Sequence, residues 1–528
     1  MKLFVLLLSL IPLTLQYNFL VFCPLFGHSH TTFFANIADT LTNAGHNVTF
    51  FTPTIIRKYE TITYVKSTKN VIHLQASEKL AKLGDKFEEA DTTKFWYQDS
   101  TLFEMLPMID TFQKAFTEQI MVLGRNLELL DELKSMKFDA MVFESFVDPA
   151  YPLLDYLEIE TILPATSISF DEMLSNSIGE PVMPSVVPGS MSPFTDKMSL
   201  IERIINTITQ PLMLAFLPKR QFKSLRFPHQ TVDISSMESM SSFIFTNSNP
   251  YLDYARPTLE KNVQIGGISV DVEKLRSQKV NEEWDAILNL RFKTVLVSFG
   301  SIMLSKDMPF ENKKALSSAM EKFPDVTFIW KYESNDTDSF AKEIENIHFP
   351  KWIPQTALLA DSRLSAFFTH AGLGSTNEVS YLGKPTILCP VFADQMRNAK
   401  MLARHNGSIE ISKYDLVDSE KIENVLRRIL YDESYTEASE NLALQLANQP
   451  VKPKELLIRY AEFAAQFGRL PSLDPYSRHM SFISFFLIDV AFVVFVLFTI
   501  FFYVFFQFTK RLIAYLPFTL SSAKYKSN

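Results

Sequence analysis

The chain contains very little cysteine. Cys23 and Cys389 are the only two in 528 residues. Each lies beside a proline at the end of an apolar, strand-like run, and the two are far apart in the sequence. We therefore expect two buried thiols rather than a disulfide, even in an oxidising compartment, and neither is expected to act as a nucleophile.

The sequence also lacks a basic surface pattern. Its formal net charge is -8, 21% of its residues are charged, and lysine and arginine form no stripe. Because binding to a phosphate backbone requires a basic surface, this composition excludes a nucleic-acid partner. Neither disorder-prone composition nor short repeats are found. A chain of 528 residues exceeds what one core usually organises, so two domains with extra segments are expected.

Long apolar runs lie at the two ends of the chain. Met1 and Lys2 precede an apolar run from Leu3 to Leu15, which has the length and position of a secretory signal. We therefore assign residues 1–16 to a signal peptide that is removed before Tyr17. Near the other end, Val490 to Thr509 contains no charged residue and is long enough to cross a hydrocarbon core of about 30 Å.

The cations at the C-terminus predict the orientation of this span. Lys510 and Arg511 follow the apolar run, and Lys524 and Lys526 lie in the tail. The positive-inside rule then predicts a type I protein with a membrane segment at 481–509, a cytosolic tail at 510–528 and all preceding domains in the lumen. The last five residues resemble a dilysine signal for retrieval to the endoplasmic reticulum, and a short basic tail is the alternative.

Three sequons for N-glycosylation begin at Asn47, Asn335 and Asn406. A lumenal chain meets the glycosylation machinery, so a glycoprotein is expected. Asn47 belongs to a strand pattern, and we expect it to be too buried for modification.

Hydrophobic periodicity divides the lumenal part into two halves of alternating strands and helices. The first half begins with a strand, an amphipathic helix and a second strand, and a longer variable insertion follows at 174–217. Both halves are expected to form parallel sheets with helices on both faces, which is an α/β fold. The predicted strands are Asn18–Pro24, Val48–Thr52 and Phe138–Phe143 in the first half, and Thr294–Phe299, Val326–Trp330, Ala366–Thr369 and Thr386–Val391 in the second.

The segment rich in proline and glycine between the halves predicts the domain boundaries. We expect an N-terminal domain at 17–250, a linker at 251–283 and a C-terminal domain with returning helices at 284–480. Ligands of open α/β sheets bind beyond the carboxyl ends of the strands. The functional residues are therefore expected just after the strands, in a cleft between the domains.

The run Trp352–Gln395 carries the chemistry of a nucleotide-sugar site. The indole of Trp352 can stack on a base, and the amide of Gln355 can bond the base edge or a ribose. His370 ends a strand-like run and precedes a turn of small residues that opens a helix. Amide groups at a helix N-terminus stabilise the negative charge of a diphosphate. Glu378, expected in the first turn of that helix, can bind hydroxyls or cap the helix.

This run resembles the nucleotide-binding signature of the family 1 UDP-glycosyltransferases. The signal peptide, the single C-terminal span and the lysine tail are similar to those of the animal UDP-glucuronosyltransferases, and the resemblance covers essentially the whole chain. It implies a GT-B fold, in which two Rossmann-like domains face each other across a cleft. The donor would bind mainly to the C-terminal domain and the acceptor to the N-terminal domain.

The resemblance also implies roles for individual residues of the donor site. It implies base stacking by Trp352, ribose binding by Glu378 and recognition of hexose hydroxyls by Asp394 and Gln395, although an acidic helix start would also explain Asp394. Many relatives carry asparagine where this chain has Gly374, so one side-chain contact to phosphate is missing. The phosphate contacts implied are Ser301, His370, Gly372, Gly374, Ser375 and Thr376.

In the first half, the transfer of a glycosyl unit to a hydroxyl requires a base, and a neutral histidine suits this role near pH 7. His30 has the family spacing to the Gly45-His46 pair, so the resemblance implies that it is the catalytic base. His28 is the runner-up and is more typical of a turn-shaping residue. A carboxylate is expected to orient the base. Glu144 stands where relatives place it, and Asp148 is the alternative.

Two further charged groups have two interpretations each. Arg256 resembles an arginine that relatives use near the carboxylate of the donor sugar, and a salt bridge between domains is the alternative. Asp336 and Asp338 spell the metal-binding DxD motif of another glycosyltransferase fold. They lie in a polar loop, so we interpret them as solvated surface.

Together these features predict a membrane-bound enzyme that transfers glucuronosyl, or glucosyl, from a UDP-sugar to hydroxyl groups of small lipophilic acceptors. The reaction is expected to invert the anomeric centre and to need no cofactor and no metal. The expected partners are the UDP-sugar, the acceptor and the membrane of the endoplasmic reticulum, and homo- and hetero-oligomers both remain open. The alternatives are a retaining or hydrolytic enzyme on the same fold, and a non-catalytic, membrane-anchored binder of lipophiles or UDP-sugars.

Overall fold

The structure is a computed structural model that describes residues 16–88, 93–99, 102–216, 220–227 and 229–524. Residues 1–15 of the predicted signal peptide and the end of the tail, including Lys526, lie outside the described residues. The chain divides into two compact units, with the boundary between Leu473 and Asp474. Each unit is described separately below.

Parallel β-strands form the centre of the larger unit. The strands of its first half are β1 (Asn18–Phe22), β2 (Asn47–Pro53), β3 (Asn70–Leu74), β4 (Ala140–Glu144), β5 (Ile162–Thr166), β6 (Gln221–Lys223), β7 (Thr231–Asp233), β8 (Ile244–Thr246) and β9 (Asn262–Gln264). The strands of its second half are β10 (Lys293–Ser298), β11 (Val326–Trp330), β12 (Ile347–His348), β13 (Leu364–Thr369), β14 (Thr386–Leu388) and β15 (Ser408–Glu410).

Helices connect these strands. Those of the first half are α1 (His28–Asn43), α2 (Glu78–Glu88), α3 (Lys94–Tyr97), α4 (Leu102–Arg125), α5 (Leu127–Ser135), α6 (Ala150–Leu157), α7 (Glu172–Ser177), α8 (Leu200–Phe216) and α9 (Ile234–Ser239). Those of the second half are α10 (Val272–Ser277), α11 (Glu282–Leu288), α12 (Phe310–Glu321), α13 (Asp338–Ala341), α14 (Gln355–Ala360), α15 (Leu373–Leu382), α16 (Gln395–Ala403), α17 (Ser419–Tyr431), α18 (Glu433–Ala447) and α19 (Pro453–Phe467).

The first sheet has the strand order β3-β2-β1-β4-β5-β8-β9, and its neighbouring strands are parallel. Its central strands are buried along almost their whole length, as expected of a parallel sheet covered on both faces. The predicted strands are confirmed to within two residues. The last strand, β9, lies inside the predicted linker at 251–283, so the first sheet extends beyond the predicted boundary at residue 250.

The second sheet has the order β12-β11-β10-β13-β14-β15 and is also parallel. Four of its strands correspond to the four predicted ones. The strand predicted to reach Val391 ends at Leu388. Pro390 follows shortly afterwards, and a proline lacks the N–H that a sheet ladder requires.

The two halves are joined by more than the chain connection. Helix α19 follows the second half but packs on the first sheet, where Leu457 and Ala461 share a core with Phe19 of β1. In the opposite direction, α3 of the first half places Phe95 and Trp96 in the core of the second sheet, and both are at most 3% exposed. Each half therefore completes the core of the other.

The smaller unit contains α20 (Phe482–Phe485) and the long helix α21 (Ile488–Lys524). The stretch Ile488–Tyr515 of α21 has a mean hydropathy of 2.6 and is long and apolar enough to cross a membrane. The helix includes the predicted charge-free run. The helix continues past Lys510 and Arg511, the two cations that follow the predicted span.

The two cysteines and the sequon residue Asn47 differ in burial. Cys23 and Cys389 are buried, free thiols, as predicted, and burial raises the pKa of both. The prediction that Asn47 is buried is wrong. It is the exposed first residue of β2, and its amide donates to Asn18 Oδ1 over 3.0 Å.

Candidate active site

His30 and Glu144 lie together at the carboxyl edge of the first sheet. His30 is in the first turn of α1, directly after β1, and Glu144 is the last residue of β4. Because β1 and β4 are neighbours, the two side chains meet: His30 Nδ1 is 3.1 Å from Glu144 Oε2. The carboxylate is 1% exposed and the imidazole 25% exposed. Nδ1 is therefore held by a buried carboxylate, while the imidazole as a whole remains partly exposed.

Asp148 and His28, the two alternatives that the sequence left open, have other partners in the structure. Asp148 Oδ1 accepts from Nε of Arg220 over 2.7 Å, so this carboxylate is engaged away from His30. His28 Nδ1 lies 3.3 Å from the hydroxyl of Tyr64. Burial, and to a lesser extent Lys331, lowers the pKa of His28.

Phenylalanine rings surround the His30 imidazole. The ring of Phe26 lies 4.9 Å from it and that of Phe146 lies 5.6 Å from it, almost perpendicular. Phe112 and Phe116 pack against Phe26 on the other side. The imidazole is thus bordered by apolar side chains, which the sequence prediction did not identify. Phe112, Phe116 and Phe146 lie more than 80 residues after His30 in the chain.

The second sheet presents His370 and Ser301 after its neighbouring strands β13 and β10. Ser301 is exposed in the turn that follows Gly300. Gly300 has a φ of +89°, and a Cβ at this position would lie 2.7 Å from the His370 ring, so only glycine fits. Burial, together with Lys331, lowers the pKa of His370 to about 4. The imidazole is therefore neutral near pH 7 and can donate a hydrogen bond to an anion.

The turn from His370 into α15 has the features predicted for a phosphate site. Gly372 is the N-cap of α15, and Ala371 before it has a φ of 63°, an unusual backbone conformation for a residue with a Cβ. The first amides of α15 have no partners within the helix and carry its positive dipole end. A Cβ added at Gly374 would meet nothing within 4 Å.

Ser375 and Thr376 differ in the hydrogen bonds that their hydroxyl groups make. Ser375 Oγ accepts from Gln355 Nε2 over 3.0 Å. Thr376 is fully buried, and its hydroxyl donates to the carbonyl oxygen of Gly372 over 3.1 Å. The helix backbone thus engages the Thr376 hydroxyl, and a phosphate contact through this side chain stays a prediction.

Glu378 lies in the second turn of α15 rather than the predicted first turn, and it does not cap the helix. Its carboxylate accepts from Gln355 Nε2 over 2.7 Å and from the hydroxyl of Thr356. Burial raises its pKa despite these bonds. Trp352 is 67% exposed, so a structural role in the core is excluded and one face of the indole is accessible.

Asp394 and Gln395 begin α16 on the side facing His30. The side chain of Asp394 makes no cap bond to α16, which removes the interpretation as an ordinary helix start. Burial raises its pKa, while the amide of Asn398 and the charge of His30 oppose this. Gln395 Oε1 accepts from the backbone amides of Val391 and Phe392, so its Nε2 is the atom that remains for a sugar hydroxyl.

Arg256 forms no salt bridge with any residue that the structure describes. The salt bridge between the halves belongs to Arg397, which is fully buried and lies 2.7 Å from Asp253. The Arg256 guanidinium stacks over Phe170 at 4.8 Å, and within the described part of the chain its three nitrogens have no hydrogen-bond partner. Burial lowers its pKa.

Lys331 was missed by the sequence prediction. It directly follows β11, its Nζ donates to Gly300 O over 2.6 Å, and it lies 5.7 Å over the Trp352 ring. Glu333 pairs with it at 3.2 Å. A lysine just after a buried strand was the available signal, because the carboxyl ends of such strands point to the ligand site.

The chain is similar to known proteins in both sequence and fold. A family model described as UDP-glucoronosyl and UDP-glucosyl transferase matches residues 20–522. The chain belongs to this family of UDP-glycosyltransferases. It is therefore a glycosyltransferase, and a UDP-sugar is its donor.

Relatives of this glycosyltransferase are similar over most of their length. UDP-glycosyltransferase UGT5 of Dactylopius coccus is 26% identical over 506 residues, which cover 92% of this chain and 90% of the relative. UDP-glucuronosyltransferase 1A1 of Homo sapiens is 27% identical over 397 residues, or 72% of each chain.

The fold of this glycosyltransferase is also found among solved structures. The structure of TcCGT1 in complex with UDP has a TM-score of 0.55 and 16% identity, and it covers 86% of this chain and 100% of its own. The predicted GT-B fold is confirmed.

Proposed function

We propose that this glycosyltransferase is anchored in a membrane and transfers glucuronosyl from UDP-glucuronate to hydroxyl groups of small lipophilic acceptors, with inversion and without a metal. The observation that carries the proposal is the pairing of His30 with Glu144 at 3.1 Å on the side of the cleft facing Asp394. A base on one side and a sugar-binding carboxyl group on the other fit a direct displacement between two bound substrates.

His30 acts as the general base of this reaction. No hydrogen bond of its Nε2 is found among the residues that the structure describes, whereas Nδ1 faces Glu144. The carboxylate holds the proton on Nδ1, so the lone pair of Nε2 accepts the proton of the acceptor hydroxyl. The acceptor oxygen attacks the anomeric carbon from the face opposite UDP, the bond to the diphosphate breaks, and the configuration inverts.

The departing diphosphate is stabilised by groups of the second half. The amides at the start of α15, the neutral His370 and the Lys331 ammonium lie around one turn. Fixed dipoles and a cation placed where charge develops lower the barrier without reorganisation. These groups supply the charge stabilisation that a divalent cation supplies in other enzymes, which supports a metal-independent reaction.

Arg256 favours glucuronate over glucose as the sugar. A shielded guanidinium without a partner costs free energy, and a carboxylate offsets this cost by a charge-assisted bidentate bond. Arg256 shares the Phe170 ring with Arg397 of α16, the helix that begins with the proposed sugar-reading residues. A neutral glucosyl group offers no charge at this position.

The phenylalanine side chains around His30 favour lipophilic acceptors. Phe26, Phe112, Phe116 and Phe146 form an apolar surface beside the His30 imidazole. Binding of an apolar molecule to this surface is favourable because apolar area is removed from water. The hydroxyl of that molecule can then lie beside His30. Aromatic acceptors gain further from ring-to-ring contacts.

The anchor is the apolar stretch Ile488–Tyr515, by its length and composition. With the predicted signal peptide and the basic tail, it supports a type I protein of the endoplasmic reticulum whose sites are lumenal. Lipophilic acceptors concentrate in the same membrane.

The test uses microsomes that contain the full chain. They are incubated with UDP-glucuronate or UDP-glucose and a panel of phenols, and the products are identified by mass spectrometry and NMR. We expect β-linked glucuronides, activity that survives EDTA, and loss of product with retained UDP binding in His30→Ala. Release of no UDP with any acceptor would favour a non-catalytic binder, and loss of activity with EDTA would overturn the metal-free reaction.

A further inference from the structure

A chain of hydrogen bonds through largely buried polar residues links helix α15 to the His30 imidazole. It starts at Ser167, which directly follows β5 and contacts both members of the His30–Glu144 pair. The hydroxyl of Ser167 is 2.6 Å from His30 Nδ1, and its backbone N–H donates to Glu144 Oε1 over 3.0 Å. Glu144 thus binds the histidine with one oxygen and the serine with the other.

Two asparagines continue the chain into the second half. The amide of Asn247 donates to the carbonyl oxygen of Ser167 over 2.9 Å. The amide of Asn377 in turn donates to Asn247 Oδ1 over 3.1 Å. Asn247 directly follows β8, the neighbour of β5, whereas Asn377 belongs to α15. The two asparagines are 8% and 1% exposed.

We propose that Ser167, Asn247 and Asn377 are positioning residues that set the His30 imidazole according to the placement of α15. The inference rests on the proposed function, in which His30 is the base and the start of α15 binds the diphosphate. Each bond of the chain has a defined donor and acceptor, and a buried polar group without its partner is costly. A displacement of α15 therefore cannot leave Asn247 and Ser167 unchanged.

Ser167 has a specific effect on the base. The Nδ1 proton lies between Glu144 Oε2 and the Ser167 hydroxyl, so the serine is a second acceptor that fixes the ring plane. When Nε2 gains the acceptor proton, both oxygens stabilise the positive charge of the ring. Glu144 alone leaves the imidazole free to rotate about the direction of one bond.

The experiment compares full-length variants in microsomes. Ser167→Ala is expected to lower kcat at least 10-fold, with unchanged KM for the UDP-sugar, and Ser167→Thr is expected to restore most of it. Asn247→Asp retains the acceptor for Asn377 but loses the donor to Ser167, so its kcat should also fall. Ser135→Ala is the matched control, because Ser135 is exposed and its hydroxyl bonds within α5.

Coupling along the chain is measured with a double-mutant cycle. Asn377→Ala and Asn247→Ala are each expected to lower kcat, and the double variant should be no slower than the slower single variant. Thermal unfolding and calorimetric UDP binding identify any variant that fails to fold. In that case Ser167→Thr, which keeps the hydroxyl, and Asn247→Asp, which keeps the side-chain volume, decide the outcome.

The results separate this inference from the proposed function. If His30→Ala retains activity, the assigned base is wrong and the positioning chain loses its target. If His30→Ala is inactive while Ser167→Ala stays within twofold of the wild type, only the positioning role is overturned. A purely structural role is indicated if kcat and thermal stability fall while KM rises, or if the effects of Asn247→Ala and Asn377→Ala multiply.

Discussion

At the scale of single residues, the proposed donor site combines backbone groups with few charged side chains. Two non-glycine residues with positive φ, Ala371 and Ala393, directly precede Gly372, the N-cap of α15, and Asp394. Such conformations cost about 1–3 kcal/mol each and persist where the surrounding structure imposes them. They set the direction of the chain just before Gly372 and Asp394, so their conformation is part of how the proposed site is built.

The open space at Gly374 leads to a prediction. Gly374→Asn introduces a side chain that meets no neighbour at Cβ, and asparagine is a better helix residue than glycine. An amide at this position should bond the diphosphate, which is worth about 1.5–3 kcal/mol for a charged partner. We expect KM for the UDP-sugar to fall by roughly 10-fold or more. A KM that rises, with UDP binding weakened in calorimetry, would show that the phosphate lies elsewhere.

His370 makes stability depend on pH. Its folded pKa is about 4, below the ordinary value of 6.5, so the unfolded chain binds a proton first as the pH falls. Its contribution is complete above pH 6.5 and is lost between pH 6.5 and pH 4. When the pH is lowered from 7 to 5, we expect the apparent Tm of His370→Gln to fall less than that of the wild type. Equal losses would contradict a neutral, buried imidazole.

At the scale of elements, the short helix α3 acts as an anchor between the halves. Phe95 stacks on Phe392 at 5.0 Å, and Trp96 lies edge-on to Phe299 at 5.2 Å. Phe299 precedes the Gly300-Ser301 turn, and Phe392 precedes Asp394 closely in the chain. Lys413 of the second half adds hydrogen bonds to the Phe95 and Gln98 carbonyl oxygens. The packing of α3 therefore supports the two loops that carry proposed donor contacts.

The same helix offers a matched pair of variants. Trp96→Ala removes a side chain that is 2% exposed, and the cavity should lower the free energy of unfolding by about 3–5 kcal/mol. KM for the UDP-sugar should rise because the Phe299 turn loses its support. Tyr97→Ala changes a neighbour that is 58% exposed and should leave both quantities near the wild-type values. Similar effects of the two substitutions would rule out this account.

Elements and sites were predictable to different degrees for physical reasons. Buried parallel strands are continuous apolar runs, so Val326–Trp330 was predicted without error, whereas β9, with three residues, was too short to recognise. The choice of Glu144 over Asp148 depends on Arg220, which is 72 residues from Asp148 in the chain. Ser167 and Phe95 have no distinctive sequence pattern, because their roles arise from neighbours that only the tertiary structure brings close.

At the scale of the whole molecule, the apolar part of α21 predicts how the protein distributes in a cell. Truncation after Leu487 removes the stretch Ile488–Tyr515. Without a span, the remaining chain should move from the membrane pellet to the soluble fraction after alkaline extraction. The control is the full chain, which should stay in the pellet. Retention of the truncated chain in the pellet would show a second membrane attachment.

The exchange of core residues between the halves restricts how members of this family can be recombined. A chimera that joins the first half of one enzyme to the second half of another must match Phe95 and Trp96 to a foreign cavity, and must match Leu457 and Ala461 of α19 to a foreign sheet. A single crossover between the two halves therefore places core residues of one parent enzyme in the hydrophobic core of the other. In a functional chimera, residues 93–99 should come from the same parent enzyme as the second half. Helix α19 should come from the same parent enzyme as the first half.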